Sequence, residues 1–75
     1  MKEKVFHVVS QVFGVQIDEL SEDSSPETIQ AWDSLKHMNL VLALEEEFGV
    51  RFSDEKIMQM LSVGLITEAV QELMP

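Results

Sequence analysis

One serine in this chain combines a reactive hydroxyl with a setting suited to a bound anion. Asp33-Ser34-Leu35 lies where a loop ends and an apolar-periodic segment begins, which places Ser34 at the positive end of a predicted helix. The unpaired N–H groups and the dipole at such an end favour an anion. The chain has no Cys, no Gly-rich phosphate loop and no cluster of metal-ligating residues. Ser34 is therefore the one position where covalent chemistry is plausible.

A helix cap is the simpler role for Ser34, because Ser and Asp are both preferred at the N-cap. Asp33 can cap the helix by itself, however, which would leave Ser34 at the first helical position with its Oγ free. A phosphodiester at that oxygen would lie against the unpaired N–H groups. No base in the sequence is placed to activate the hydroxyl, so the modification would need a separate enzyme.

His37 lies one turn after Ser34, as a Ser–His nucleophilic pair would require. A triad Ser normally occupies a strained strand-to-helix turn, with a third group orienting the His. No strand and no Gly-x-Ser-x-Gly is present here, and His37 falls on the core side of its predicted helix. We interpret it as a buried or half-buried structural residue, and His7 as a surface residue. We predict no catalytic residue and no metal site, since the ligands of an EF-hand are also absent.

The composition predicts one small acidic domain over residues 1–75. Chains of this size bury only about 60% of their unfolded surface, which disfavours an enzyme with a deep, dry pocket. Without Cys there is neither a disulfide framework nor a thiolate zinc site, and any thioester chemistry needs an imported thiol.

The net charge of −9 bears on partners and location. It disfavours nucleic acid, whose phosphates require a basic face, and favours basic protein partners and a monomer. No segment has the length of a secretory or membrane-spanning sequence, so we expect a cytoplasmic protein without membrane insertion.

The hydrophobic pattern predicts an all-α fold, a small bundle of three main helices and one short helix. Residues 2–13 carry one apolar stripe and stop at Gly14; residues 34–48 form the clearest helix and stop at Gly49. Between them we expect a long ordered loop with a short turn of helix, anchored by Val15, Ile17, Leu20, Ile29 and Trp32. Ser53 caps a short helix near 54–61 with Ile57, Met60 and Leu61 inward, and Ser62 caps a last helix with Ile66, Ala69, Val70 and Leu73 inward.

The helix over 34–48 has two apolar arcs. The larger arc is predicted to face the core and to pack on Val9, Val12, Ile66 and Val70; it contains Val41, Leu44 and Phe48, with Leu40 at its edge and His37 among them. The second arc contains Leu35, Met38 and Leu42, on the side of Ser34. So small a bundle needs only one buried stripe, so the second arc is predicted to be an exposed docking patch.

Several charges in this helix oppose its dipole. Glu45, Glu46 and Glu47 occupy the last turn and Lys36 the first, and each such placement costs about 0.3–1 kcal/mol. Locally unfavourable charges suggest a functional reason, which a basic partner surface would supply.

Together these features resemble the acyl carrier proteins. The resemblance covers nearly the whole chain and rests on its length, acidity and helix–long loop–helix order, on Asp33-Ser34-Leu35, and on the Glu triplet followed by Phe48. In that family the Ser carries a 4′-phosphopantetheine arm derived from coenzyme A. The resemblance implies attachment at Ser34 beside Asp33, and a non-catalytic carrier that swings acyl thioesters among separate enzymes.

The resemblance also implies a set of partners. The partner-docking face of the family corresponds to Leu35, Met38, Leu42, Glu45 and Glu46, which includes the second apolar arc. The expected partners are a phosphopantetheinyl transferase and acyl-loading and acyl-transferring enzymes with basic docking surfaces.

Three departures from the family pattern lie near the serine. Ala31 stands where Gly is common, Trp32 is bulkier than the usual small residue, and Lys36, His37 and Asn39 stand where acids are frequent. They favour a dedicated carrier of a specialised fatty-acid, polyketide or related pathway over a carrier for the housekeeping fatty-acid enzymes. An aminoacyl (D-alanyl or peptidyl) carrier and a cofactor-free acidic adaptor are the alternatives.

Overall fold

The computed structural model describes residues 2–74, which form four α-helices, one 3₁₀ turn and no strand. The helices are α1 (Lys2–Phe13), α2 (Ser34–Phe48), α3 (Asp54–Gln59) and α4 (Val63–Leu73), and the 3₁₀ turn is Ile17–Glu19. The predicted all-α bundle of three main helices, a short helix and a long ordered loop is confirmed. The third helix is shorter than expected, since it ends at Gln59.

Side-chain caps start the last three helices, as the sequence predicts. In each, the cap oxygen accepts a hydrogen bond from the backbone N–H three residues later, which satisfies one of the donors that a helix start leaves unpaired. The pairs are Asp33 with Lys36 at 2.8 Å, Ser53 with Lys56 at 3.1 Å and Ser62 with Leu65 at 3.1 Å.

Glycines end the first two main helices. Gly14 has a φ of 69° and Gly49 a φ of 65°, in the left-handed region where a β-carbon is disfavoured. The N–H of Gly14 donates to the carbonyl of Ser10, and that of Gly49 to the carbonyl of Glu45. Both predicted stops are therefore confirmed.

The long loop before Ser34 is fastened to the start of α4. The N–H of Val63 donates to the Ser24 carbonyl at 3.0 Å, and that of Gly64 to the Glu22 carbonyl at 2.9 Å. A β-carbon on Gly64 would lie 3.1 Å from the same Glu22 oxygen, so glycine permits the close approach. Lys2 adds an exposed ion pair with Glu22 at 2.8 Å, and this hydrogen-bonded carboxylate raises the pKa of Lys2. These contacts hold the loop in one conformation.

The core lies where α1 packs against α2 and α4. Its fully buried side chains come from α1, α2, α4 and the segment between α3 and α4. They include Val5, Val9, Leu40, Val41, Leu44, Met60, Val63, Ile66 and Val70. Ile29 and Trp32 of the long loop are also buried, and Val15 and Leu20 pack against the cluster while partly exposed.

Six residues predicted inside are more exposed than expected. Ile17, Leu61 and Leu73 are exposed, and Val12, Phe48 and Ile57 are only half-buried. Phe48 and Leu73 are the last residues of their helices, Leu61 follows the end of α3, and Ile17 lies in the 3₁₀ turn. Helical periodicity gives the direction of a side chain, but it does not determine whether another segment covers that side chain, and cover is incomplete at these element ends.

Candidate cofactor attachment site

Ser34 is the first residue of α2, and Asp33 is its cap. The Asp33 carboxylate accepts from the N–H of Lys36, and its carbonyl accepts from the N–H of His37 at 2.8 Å. The predicted division of roles is therefore observed, because the aspartate completes the helix start and leaves the serine side chain out of the cap. Ser34 is exposed to solvent.

The hydroxyl of Ser34 differs from every other serine hydroxyl in the protein. All the serines lie within the described residues, and Ser34 alone has no hydrogen-bond partner for its Oγ there. The others are held by backbone groups: Ser10 by Val15, Ser21 by Asp23, Ser24 by Ser21, Ser25 by Glu27, Ser53 by Lys56 and Ser62 by Leu65. Ser34 is thus the serine nucleophile that needs no local bond broken before it reacts.

The backbone around Ser34 suits a phosphate ester. Among residues 2–74 no acceptor is bonded to the N–H groups of Ser34 or Leu35. These groups lie at the positive end of a fifteen-residue helix, where an anion is stabilised. The residues present therefore fit a phosphodiester on Oγ without a basic side chain.

An open groove of about 550 Å³ begins at Ser34 and runs between α2 and α3. Its outer lining is exposed and mostly apolar, whereas its inner lining is buried or half-buried. The outer residues are Pro26, Asp33, Ser34, Met38, Met58 and Leu61, and the inner residues are Trp32, His37 and Ile57.

His37 has no nitrogen left to activate Ser34. Its Nδ1 accepts from the indole N–H of Trp32 at 3.0 Å, and its Nε2 lies 2.8 Å from the carbonyl oxygen of Ile57. An indole N–H only donates and a carbonyl only accepts, so the imidazole is the neutral tautomer with the proton on Nε2. The Ser–His pair is thereby excluded, and the half-buried structural histidine is confirmed.

Three apolar side chains of the second arc are well exposed. Leu35 is 72% exposed, Met38 46% and Leu42 57%. Met38 and Ser34 line the same groove, and Leu42 borders a separate shallow depression that also contains Glu45 and Glu46.

Two of the charges that oppose the α2 dipole have partners elsewhere in the fold. The ammonium of Lys36 lies 3.5 Å from the Val12 carbonyl at the end of α1, where a helix favours a cation. Half-buried Glu45 accepts from the N–H of Phe52 at 3.0 Å and so secures the turn after α2. Sequence reasoning missed both, because the partners lie on other segments. Glu46 and Glu47 remain exposed.

A larger depression of about 770 Å³ lies on the outer side of α1, away from Ser34. Among its lining residues are Phe6, Val8 and Ile17, and none of the predicted site residues is present. Size alone therefore does not identify the site; the chemistry of Ser34 does.

Comparison with known proteins agrees with this geometry. A family model described as "Phosphopantetheine attachment site" matches residues 3–70, and the chain belongs to that family. The fold is also similar to the solution NMR structure of a holo acyl carrier protein from Geobacter metallireducens. The TM-score is 0.86, with 29% identity over 96% of this chain and 83% of that chain. The resemblance to the acyl carrier proteins is confirmed.

Membership of this family has two consequences. The chain is a non-catalytic carrier, and its cofactor is a covalently attached 4′-phosphopantetheine. The cofactor-free adaptor is therefore set aside. No described helix is long and apolar enough to cross a membrane.

Proposed function

We propose that Ser34 carries the 4′-phosphopantetheine arm and that the chain presents acyl thioesters on it to partner enzymes. The observation that carries this proposal is the unpaired, exposed hydroxyl of Ser34 at the N-terminus of α2, in a protein whose other serine hydroxyls are all bonded. Asp33 supports the site by capping the helix in place of the serine.

The modification requires chemistry that this chain does not supply. In the transferase-catalysed step, Ser34 Oγ forms a bond to the β-phosphorus of coenzyme A, and the bond from that phosphorus to 3′,5′-ADP breaks. The hydroxyl proton passes to a base of the transferase, because the acceptor nitrogen of His37 is already occupied. The chain has no Cys, so the arm brings its only thiol.

For recognition we propose the exposed face of α2, formed by Leu35, Met38, Leu42, Glu45 and Glu46. The three apolar side chains supply contact area next to the arm, and the acids steer a basic partner. Glu45 also has a structural role, since its carboxylate accepts a hydrogen bond from the Phe52 N–H. We expect Glu46 to be the freer steering charge.

We further propose a dedicated pathway of the fatty-acid, polyketide or related type. Asn39, an exposed residue of α2 at a position where acids are frequent in the family, supports it, whereas Lys36 and Trp32 are explained by their contacts within the fold. An aminoacyl cargo would use the same arm and differ in the activating enzyme. Loading assays with acyl and aminoacyl donors separate the two.

Intact-mass measurement tests the attachment site. The purified chain is incubated with coenzyme A and a promiscuous phosphopantetheinyl transferase, alongside Ser34→Ala and Ser53→Ala. Ser53 is the matched control, an exposed serine at another helix start. We expect one phosphopantetheine on wild type and Ser53→Ala, none on Ser34→Ala, and helical circular dichroism in all three. Modification of Ser34→Ala, or none in wild type, would contradict the proposal.

A further inference from the structure

The inner end of the groove beside Ser34 is closed by a hydrogen-bonded bridge across three segments. The imidazole of His37 on α2 accepts from Trp32 of the long loop and donates to the Ile57 carbonyl of α3. The indole and imidazole ring planes are inclined by only 18° and their centroids are 6.1 Å apart, so the two rings meet edge to edge through this hydrogen bond. One side chain therefore ties the loop, α2 and α3 together directly under the attachment site.

The space behind this bridge is full. Trp32 is only 3% exposed, and its ring lies 5.0 Å from the ring of Phe13 on α1. Leu40 on α2 and Met60, which follows α3, are also completely buried. An alkyl chain moving inward from Ser34 between α2 and α3 would have to displace the indole or separate His37 from the Ile57 carbonyl.

The outer part of the groove offers a different place for a chain. Met58 is 74% exposed and Leu61 49% exposed on one side, and Met38 faces them from α2. These flexible apolar side chains give a shallow contact surface that stays open to solvent. Methionine adapts to varied apolar shapes, so the surface does not require one particular chain.

We propose that His37 is a positioning residue, and that its bridge keeps the carried acyl group on the surface of the groove instead of inside the bundle. The proposal rests on attachment at Ser34. It assigns the carrier to short or polar acyl groups, whose few methylenes gain little from shelter, and it keeps the cargo accessible to a partner that docks on α2.

The dependence of thermal stability on cargo length tests the closure. Wild type is loaded with non-hydrolysable acetyl, butyryl, hexanoyl and octanoyl amide analogues of acyl-coenzyme A; intact mass confirms one adduct, and its absence from Ser34→Ala places it at Ser34. Full burial of each added methylene would raise Tm by about 3–6 °C in a domain of this size. We expect a nearly constant Tm from butyryl to octanoyl, with unchanged emission of Trp32, the only tryptophan.

Variants that break the bridge test whether its loss lets the cargo enter the bundle. His37→Phe keeps a ring but loses both hydrogen bonds, and Trp32→Phe loses the indole donor and puts a smaller ring in its place. In both we expect Tm to rise with cargo length, and in His37→Phe a shift of Trp32 emission as well. His37→Gln retains a donor and an acceptor and should restore the flat profile, and His7→Phe is the surface control.

The outcomes separate cleanly. A rising Tm in correctly loaded wild type would overturn the bridge proposal, and so would flat profiles in both His37→Phe and Trp32→Phe. If His37→Phe does not fold, His37→Leu, which also removes both hydrogen bonds, takes its place. Failure of wild type to accept any adduct at Ser34 would count against the proposed function instead, because the mass measurement precedes the stability series.

Discussion

The two apolar faces of α2 contain similar residues and have opposite surroundings. Leu40, Val41 and Leu44 are completely or almost completely covered, whereas Leu35, Met38 and Leu42 lie open to solvent on the same helix. The covered face packs against α1, which also packs against α4, so the core of this bundle covers one face of α2 and leaves the other open. The comparison shows that apolar periodicity marks a surface that makes contacts, and that the size of the bundle decides whether those contacts are made within the chain or with a partner.

The largest expected effect comes from a substitution on the covered face. Leu44→Ala should lower the free energy of unfolding by about 2–5 kcal/mol, because it leaves a cavity in a filled core. That is a large part of the roughly 4–11 kcal/mol expected for a domain of this length. Leu42→Ala, the matched change on the open face, should alter stability by less than about 0.5 kcal/mol. Urea denaturation of both variants measures the difference. An equal loss of unfolding free energy would contradict the assignment of one covered and one open face.

A smaller effect tests the open face. Met38→Ala should weaken binding of the apo chain to a phosphopantetheinyl transferase by about 1.5–3 kcal/mol, roughly ten- to a hundredfold in Kd, if Met38 is fully buried in the complex. Apolar burial is not screened by ions, so the loss should persist at every salt concentration. Met58→Ala is the control, a more exposed methionine on α3 outside the proposed face. Titration calorimetry gives the Kd of both variants. Equal affinities would contradict the proposal that the exposed face of α2 is the docking surface.

The smallest effects distinguish the roles of two acids, Glu45 and Glu46, at the end of the open face. Glu46→Lys should slow association with the transferase at low salt and leave stability unchanged, and the defect should vanish near 1 M salt, where the Debye length is about 3 Å. Glu45→Ala should instead lower stability by about 0.5–1.5 kcal/mol, since the Phe52 N–H loses its acceptor. Stopped-flow rates against salt and urea denaturation distinguish the two. A salt-independent rate for Glu46→Lys would leave this acid as an ordinary solvated side chain.

Local signals account for what the sequence predicted well. Gly14 and Gly49 ended helices because they take left-handed backbone conformations, and Asp33, Ser53 and Ser62 began them because each can cap its own first turn. Such signals act within a few residues, so a single pass along the chain finds them. The same locality made the free Oγ of Ser34 predictable.

What the sequence did not predict depends on contacts between distant segments. Lys36 meets Val12 at a separation of 24 residues, and His37 meets Ile57 at a separation of 20. No periodicity encodes those pairs, and therefore Lys36 was interpreted as a sign of function when it has a structural partner. Phe48 was placed in the core because its direction is correct, but direction does not determine whether another segment covers the side chain.

The attachment of residues 22 and 24 to the first turn of α4 bears on the order of events during synthesis. The loop that leads to Ser34 obtains two of its fixed contacts from residues 63 and 64, which lie about 40 residues further along the chain. Contacts of such high sequence separation form only after the intervening segment has been made and the loop closed. A nascent chain that has emerged only as far as α2 therefore presents a serine without its finished surroundings. Helix α4 is thus a condition for a finished site, since an enzyme that reads the ordered loop and α2 together meets its substrate only after α4 has been made.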